Sequence, residues 1–244
     1  MQRETIIAAL AGIRKVILKS LVFIGLAGTV SFIFSRHILR LLIKASGIKL
    51  YYLTIQEVFF SSLKLAVFAG IFLALPIVFV LAWNEMKELY GIKKLYGWLL
   101  VFAAILLFYG GSVFCYVIVL PSGLQFLVSG YESAVLKAMI SIDRYITFCS
   151  TMIFAFGATF EVPLILLALG KLGIVKAKML LRTRRYAILG IVVASAMITP
   201  TPDVYNLMLL AVPMYAFYEI GIILVKMVQK KENDQVMGNG KNTH

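Results

Sequence analysis

Long apolar runs alternate with short charged segments along most of the chain, and this alternation predicts helices that cross a membrane. About 20 apolar residues, at roughly 1.5 Å each, cover a hydrocarbon core of about 30 Å. Six runs are candidates: residues 16–34, 65–83, 98–120, 146–169, 187–198 and 204–225. The fifth run has only 12 residues, which is roughly 18 Å of helix, so we expect the membrane beside it to be locally thin or partners to shield the helix.

The segments between the runs are predicted to lie at the membrane surface or to form turns. Residues 1–15 predict an amphipathic lead-in. Residues 35–64 form a long connection that begins with an amphipathic interfacial helix, and residues 122–145 form a second connection. We expect a single membrane domain over residues 1–228, followed by a disordered cytoplasmic tail over residues 229–244.

Prolines mark the expected kinks and turns. Pro76 lies inside the second run, where it frees the Phe72 carbonyl and predicts a kink. Pro121 is expected to end the third helix. Two further prolines predict a sharp turn before the sixth run, with Asp203 as the cap of the helix that follows. The prolines assigned to kinks and turns are Pro76, Pro121, Pro200, Pro202 and Pro213.

Composition identifies an integral membrane protein, since 61% of residues are hydrophobic, 14% are charged and the mean hydropathy is +0.95. The net charge of +13 does not indicate nucleic-acid binding, because the basic residues lie in short blocks between apolar runs. With the N-terminus inside, the inner segments together with Lys19 of the first run hold 17 Lys and Arg and the outer segments 7, so both termini are predicted to be cytoplasmic. Five of the seven outer charges lie in residues 35–64, which a surface helix would tolerate.

Two acids inside the apolar runs are the candidate functional residues. Glu161 lies in the fourth run, where an ionisable side chain costs about 2.5 to 3.5 kcal/mol to insert and needs a partner, water or neutralisation. Pro163 frees the Thr159 carbonyl one turn back, and Glu219 is a second acid in the sixth run. The plainer alternative is a neutral, hydrogen-bonded Glu161 on a packing face. The acids also leave open a proton- or cation-coupled secondary transporter.

Other chemistries lack their motifs in this sequence. The two histidines lie far from the two cysteines, so we expect no metal site and no cofactor. The runs contain no His-Glu-x-x-His, Gly-x-Ser-x-Gly or paired-aspartate motif of an intramembrane enzyme. We therefore expect a protein that is not an enzyme.

Four motifs carry a family resemblance: Phe156-Gly-Ala-Thr-Phe-Glu-Val-Pro163, Thr199-Pro-Thr-Pro-Asp203, Leu209-Leu-Ala-Val-Pro-Met-Tyr215 and Tyr218-Glu-Ile-Gly221. Together they resemble the TatC family, the receptor subunit of the twin-arginine protein translocase, and the resemblance covers residues 14–226. It implies an all-α protein with six transmembrane helices in a glove-like, concave bundle, multi-pass in the cytoplasmic (inner) membrane. It also implies an oligomeric receptor that binds twin-arginine signal peptides, assembles with TatA-like and TatB-like single-span proteins, and exports folded proteins using the protonmotive force.

The residues and the resemblance together predict two sites. The residues expected to contact a partner helix or to line the concave groove are Phe160, Glu161, Pro163, Asp203 and Glu219. The signal-peptide site is expected to include Arg14, Glu85 and Glu88. Both glutamates have an open alternative as solvated surface charges.

This sequence departs from the family pattern at the signal-peptide site. Gly12 stands where a glutamate is usual, and Lys93 or Lys94 stands where a second glutamate is usual. A lysine repels the guanidinium groups that a carboxylate would bind. Glu85 and Glu88 are therefore the candidates to replace the missing acids, and weak binding of the signal peptide is expected.

Overall fold

The computed structural model describes residues 2–46, 50–51, 54–90, 94–129, 140–171, 173–199 and 203–239, and nearly all of them are helical. The helices are α1 (Gln2–Ile33), α2 (Ser35–Ser46), α3 (Ile55–Tyr90), α4 (Lys94–Phe114), α5 (Leu120–Ser129), α6 (Ile142–Lys171), α7 (Ala177–Arg182), α8 (Arg184–Ile198) and α9 (Val204–Asn239). A π-helical segment, Cys115–Val119, joins α4 to α5. Two-residue strands, β1 (Leu50–Tyr51) and β2 (Ile140–Ser141), pair in parallel and are the one exception to the predicted all-α fold in the described ranges.

Within the described residues, five helical segments are long and apolar enough to cross a membrane. They are Arg14–Ile33, Gln56–Glu85, Gly97–Phe126, Ile142–Lys171 and Val204–Gln229. Each covers one of the predicted runs to within one residue. The remaining run, residues 187–198, lies in α8, which has 15 residues and is therefore about 22 Å long. The last helix, α9, continues to Asn239, beyond the predicted domain boundary at residue 228.

The predicted connection over residues 35–64 is wrong in its second half. Its first half is the expected amphipathic helix, α2, but α3 already begins at Ile55. Polar and apolar residues mix over residues 55–64. The reason for the mixture is that Ser61 is buried toward α6 while Phe59 and Phe60 are exposed.

The prediction that Pro121 ends the third helix is also wrong, because α5 continues through it to Ser129. A proline ring normally collides with the carbonyl four residues before it. Here the π-helical segment Cys115–Val119 ends two residues before the proline, and the Leu120 N–H donates to the Cys115 carbonyl, five residues back. This wider turn gives the ring room, so the backbone remains helical.

Pro76 lies inside α3, and the carbonyl that it frees has a partner on another helix. Tyr109 of α4 donates its hydroxyl hydrogen to the Phe72 carbonyl oxygen at 2.8 Å. The Tyr109 and Phe72 rings also meet edge to face, with their centroids 4.9 Å apart. Pro213 likewise lies inside a helix, α9, whereas Pro200 and Pro202 fall outside the described residues.

Contacts between helices show the direction in which each helix runs. α1 and α3 are antiparallel, because Gly12 lies beside Glu85 while Gly28 lies beside Gly70. α4 is antiparallel to α3 and to α6, α6 is parallel to α9, and α8 is antiparallel to α9. The pairs that establish this are Trp83 with Gly97, Phe72 with Tyr109, Phe108 with Gly157, Ser112 with Ile153, Phe160 with Phe217, Gly170 with Val225, Arg184 with Glu219, and Ser195 with Met214.

The chain therefore reverses direction from each of these helices to the next. The start of α1 and the Val225 region of α9 lie at the same end of the bundle, which we call the proximal end. The opposite end, where α1 ends and where α3, α6 and α9 begin, is the distal end.

A polar network at the distal end joins the start of α3 to the start of α6. Lys64 Nζ lies 2.6 Å from Asp143 Oδ1 and 3.0 Å from Thr147 Oγ1. Glu57 accepts hydrogen bonds from the Ser141 hydroxyl and from the Asp143 N–H. Because β2 immediately precedes α6, this network and the β1–β2 pairing fix the same corner of the bundle.

Candidate functional site

The proximal end brings Glu85 of α3 against Gly12 of α1. Gly12 is buried, and a Cβ atom built on it would lie 3.5 Å from Glu85 Oε2 and 3.7 Å from Glu85 Cβ. Glu85 itself is half-buried. An acid is therefore present beside position 12, but it comes from α3 and not from α1.

The other predicted signal-peptide residues are less completely described. Arg14 is exposed on α1, two residues after Gly12. Glu88 lies in α3, three residues after Glu85, and Lys94 begins α4, but the side chains of both are outside the described part of the structure. Lys93 lies between the described ranges.

Trp83 holds the end of α3 against the start of α4, next to Glu85 in the sequence. Its side chain is buried, and its ring occupies the space over Gly97, where a Cβ atom would lie only 1.5 Å from the ring. Only glycine fits there without movement of the ring. This contact fixes the corner of the bundle from which Glu85 projects.

Glu161 is buried among the helices, with 8% of the residue exposed. Its Oε1 atom has no hydrogen-bond partner among the described residues. The residues that share its face of α6 are divided: Gly157 is buried under the Phe108 ring of α4, whereas Ala158 and Ile165 are exposed. A carboxylate in this position lies one turn from an open edge of α6 but faces inward.

Phe160 and Pro163, the neighbours of Glu161, lie in the packed part of α6. The Phe160 ring centroid is 4.3 Å from that of Phe217 on α9 and 5.8 Å from that of Phe114 on α4. The same ring covers Gly111, where a Cβ atom would lie 2.7 Å from it. Pro163 is buried within the helix. These contacts hold α6 between α4 and α9 at the level of the acid.

Glu219, the second intramembrane acid, has partners that the sequence analysis did not identify. Arg184 Nη2, at the first turn of α8, lies 2.5 Å from Glu219 Oε2. Tyr215 donates its hydroxyl hydrogen to Glu219 Oε1 at 2.9 Å. The sequence signal for Arg184 was only its place in a basic segment, whereas Tyr215 lies one helical turn before Glu219 and shares its face.

Asp203 caps α9, as the sequence predicts. Its Oδ1 atom accepts a hydrogen bond from the Asn206 N–H at 2.7 Å, and Oδ2 accepts one from the Asn206 side-chain amide at 2.9 Å. This is the geometry of an N-cap. Asp203 and Glu219 are 16 residues apart on α9, roughly 24 Å along the helix, so the predicted partner-site residues do not form one cluster.

Known proteins resemble this chain in sequence. The family model described as "Sec-independent protein translocase protein (TatC)" matches residues 8–213. The chain is similar to the Sec-independent protein translocase protein TatC of Desulforapulum autotrophicum, with 33% identity over 92% of this chain and 85% of the relative. It is also similar to the TatC protein of Carboxydothermus hydrogenoformans, with 30% identity over 93% of this chain and 95% of the relative.

A solved crystal structure has the same fold. It is that of the twin-arginine translocase receptor TatC, to which the chain aligns with a TM-score of 0.82 and 30% identity, over 90% of this chain and 99% of that chain. Proteins of this kind are membrane components of a protein translocase and not enzymes. By sequence, by fold and by its multi-pass apolar helices, the chain belongs to the Sec-independent protein translocase protein (TatC) family.

Proposed function

We propose that this chain is the receptor subunit of a twin-arginine translocase. In this role it binds the signal peptides of folded cargo, assembles with TatA-like and TatB-like single-span proteins as a homo- or hetero-oligomer, and exports the cargo using the protonmotive force. The observation that carries the proposal is the apposition of Gly12 and Glu85 at the proximal end, because it supplies a carboxylate where the resemblance expects one. No cofactor is needed for this function.

The membrane topology is part of the proposal. The helices make six crossings if α8 counts as one, with five reversals of direction between them, and α8 runs antiparallel to α9, as a fifth crossing must. The start of α1 and the Val225 region of α9 share the proximal end. Basic residues are concentrated in the segments at this end, which supports a cytoplasmic proximal end with both termini inside. The glove-like, concave shape is proposed from the resemblance.

Signal recognition is assigned to the proximal end. A twin-arginine signal brings two guanidinium groups, and each charge-assisted hydrogen bond to a carboxylate contributes about 1.5 to 3 kcal/mol. Glu85 is half-buried beside Gly12 and offers one such acceptor. Glu88, three residues further along α3, is the second candidate, and Arg14 belongs to the same end of α1.

The partner helices are assigned to α6 and α9, near Phe160, Glu161 and Glu219. The exposed edge of α6 next to Glu161 supports a docking position for a single-span helix. A transporter that uses both Glu161 and Glu219 gains no support, because the Glu219 carboxylate is already paired with Arg184 and hydrogen-bonded to Tyr215. A cation site would need this carboxylate unpaired.

Complementation tests the proposed function directly. A strain that lacks its own receptor is supplied with this chain, and export of a folded reporter with a twin-arginine signal is followed. We expect export to the outer side of the membrane, and no export when the two arginines of the signal are replaced by glutamine. Small-solute flux through the purified protein, with no reporter export in any strain background that supplies the partners, would contradict the receptor function and favour a transporter.

A further inference from the structure

A cavity of about 790 Å³ opens at the distal end, where α1 ends and both α2 and α3 begin. Its walls are mainly apolar and include Phe32, Val58 and Phe59, whereas its polar lining comes from Ser35, Arg36 and Ser62. Nothing in the proposed translocation function uses these residues. The cavity lies at the opposite end of the bundle from Glu85 and Gly12.

Arg36 is the charged group of this cavity. Its side chain is exposed and has no hydrogen bond or ion pair with any residue that the structure describes. The next cation on α2 is Arg40, whose side chain donates to the Arg36 carbonyl at 3.3 Å. Since α2 contains no Asp or Glu, no carboxylate on this helix competes for either guanidinium group.

The charge of the cavity comes from the Arg36 side chain and not from a helix end. α1 ends at Ile33 and α2 begins at Ser35, so a negative and a positive helix terminus meet and their partial charges offset each other. The guanidinium group carries a full charge and five N–H donors. A ligand that binds here therefore needs acceptor oxygens and a negative charge.

The hydroxyl groups narrow the choice of ligand. Ser35 is buried, and its hydroxyl forms no hydrogen bond within the described residues, so it is free to donate to a ligand. Ser62 already donates to the Val58 carbonyl at 2.8 Å and offers only lone pairs. The polar side of the cavity thus presents donors from Ser35 and Arg36, which suits the acceptor-only oxygens of a phosphodiester.

The apolar walls call for a hydrocarbon chain beside that phosphodiester. Phe32, Ile33 and Phe59 are exposed large apolar residues in membrane-crossing helices, so the cavity opens onto surface that faces lipid. A free inorganic phosphate would contact the polar side only and leave these walls unused. An amphiphile with an anionic head and an acyl tail contacts both sides.

We propose that this cavity binds one anionic phospholipid, with its phosphodiester on Arg36 and Ser35 and an acyl chain against Phe32, Val58 and Phe59. The site itself does not depend on translocation, but its assignment to the outer leaflet rests on the topology proposed above. The proposal also explains why α2 carries basic residues on the side of the membrane where Lys and Arg are disfavoured. Lys64, another cation of this region, is already paired with Asp143.

The test uses the full-length protein, stripped of lipid in a neutral detergent and titrated with phosphatidylglycerol, phosphatidylcholine or inorganic phosphate. Bound lipid is counted by native mass spectrometry, and the thermal midpoint is measured at each lipid concentration. We expect one phosphatidylglycerol to bind in preference to phosphatidylcholine and to raise the midpoint, with little effect of inorganic phosphate. Arg36→Gln should weaken phosphatidylglycerol binding at least fivefold.

Arg144→Gln is the matched control, because Arg144 is an exposed cation in the first turn of α6, at the same end of the bundle and outside the cavity. Its binding should equal that of the unmodified protein. Ser62→Leu keeps every charge but fills the cavity, and it should also weaken binding. Equal losses in the two arginine variants would overturn the proposal in favour of diffuse attraction to the surface. Undiminished binding in Ser62→Leu, or displacement of the lipid by inorganic phosphate alone, would overturn it as well.

Discussion

At the scale of single residues, Glu161 combines burial with an unsatisfied oxygen. A buried polar atom without a hydrogen bond costs about 1 to 3 kcal/mol of stability, and Glu161 Oε1 has no partner among the described residues. We predict that Glu161→Leu raises the free energy of unfolding of the isolated protein by about 1 to 3 kcal/mol and lowers export of the reporter. Glu161→Gln keeps a polar side chain that can hydrogen-bond to a partner helix, so its loss of export should be milder.

Thermal unfolding in detergent and reporter export measure the two effects separately. A Glu161→Leu protein that is less stable than the unmodified one would assign the acid to packing. Equal loss of export in the Gln and Leu variants would instead point to an obligatory charge.

Position-specific crosslinking tests where the partner helix lies relative to Glu161. Ala158 and Ile165 lie on the exposed edge of α6, and Ile165 is 53% exposed. We predict that a photoreactive group at either position captures a TatA-like or TatB-like helix in membranes. Val113 and Val117, exposed on the helical segment from α4 into α5, provide the control positions. Capture from these two residues but not from 158 or 165 would contradict docking on α6.

The ion pair of Arg184 and Glu219 gives a further prediction at this scale. Both side chains are partly exposed, so a double-mutant cycle with Arg184→Gln and Glu219→Gln should give a coupling of about 0.2 to 1 kcal/mol in thermal unfolding. Arg185 is the matched control, because its guanidinium lies over the Tyr186 ring and not on the acid. A coupling between Arg185 and Glu219 as large as that of Arg184 would show that the effect is a general one of charge.

The residues that pair with the intramembrane acids are harder to predict from the sequence than the acids themselves. The sequence identifies Glu161 and Glu219 because a charge stands out in an apolar run. It does not identify Arg184, which lies 35 positions before Glu219 and among six basic residues of the segment 170–186. The pairing depends on how α8 packs on α9, and no local pattern encodes that packing.

At the scale of helices, Pro76 and Tyr109 form a pair that can be tested by a cycle of substitutions. Tyr109→Phe removes the donor to the Phe72 carbonyl, and we predict a loss of about 1 kcal/mol in the free energy of unfolding, because the partly buried acceptor is left unpaired. Pro76→Ala restores an N–H that can bond to this carbonyl. The effect of Tyr109→Phe should therefore shrink in the Pro76→Ala background. An unchanged effect would mean that Tyr109 acts through ring packing alone.

The short helix α8 leads to a prediction about the membrane beside it. Its 15 residues span about 22 Å, less than the hydrocarbon core of about 30 Å. A thinned bilayer next to a receptor is easier to breach, so inserting four leucines after Ile191 should lower export while the protein still inserts. Four leucines after Leu106, in a helix that is already long enough, test for general disturbance. Undiminished export in the Ile191 insertion would make the short helix incidental.

The sequence predicts the end of a helix correctly where the end depends only on residues next to it in the chain. Asp203 caps α9 as expected, because an N-cap needs only an acceptor and the next turn of the helix. The prediction that Pro121 ends a helix is wrong, because the effect of this proline depends on the π-helical segment before it. The sequence of Cys115–Val119 contains no signal for a π-helix. The sequence does not indicate the start of α3, because Ser61 and Lys64 form polar contacts with α6 that depend on the packing of the bundle.

At the scale of the whole molecule, the apolar runs and the distribution of basic residues were enough to predict a helical, multi-pass membrane protein. The distant pairings were not predictable in this way. Gly12 and Glu85 are separated by 73 positions, and they meet because α1 and α3 pack closely through Gly28 and Gly70. This packing bears on the glutamate that the family pattern has at position 12. The chain has a glycine at that position, but the carboxylate of Glu85 lies beside it.

Recognition of the signal depends on the balance of charge over the whole proximal end. Glu85 offers one carboxylate there, whereas Arg14, Lys15, Lys93 and Lys94 supply positive charge nearby in the sequence. We therefore predict that the isolated protein binds a twin-arginine peptide more weakly than typical family members do. Glu85→Gln should weaken binding further, because it removes the acid that lies beside Gly12.

The gain-of-function variant is the stronger test of this electrostatic account. Gly12→Glu would place a second carboxylate beside Glu85, where the two acids repel each other in the free protein but accept both guanidinium groups of a bound signal. Combined with Lys94→Glu, it should strengthen peptide binding at least about tenfold, or 1.4 kcal/mol, and the gain should shrink at high salt. The measurement is a binding titration of the purified protein, with a peptide that has glutamine in place of both arginines as its control. Tight binding by the unmodified protein that neither Glu85→Gln nor Glu88→Gln alters would refute the assignment of signal recognition to these acids.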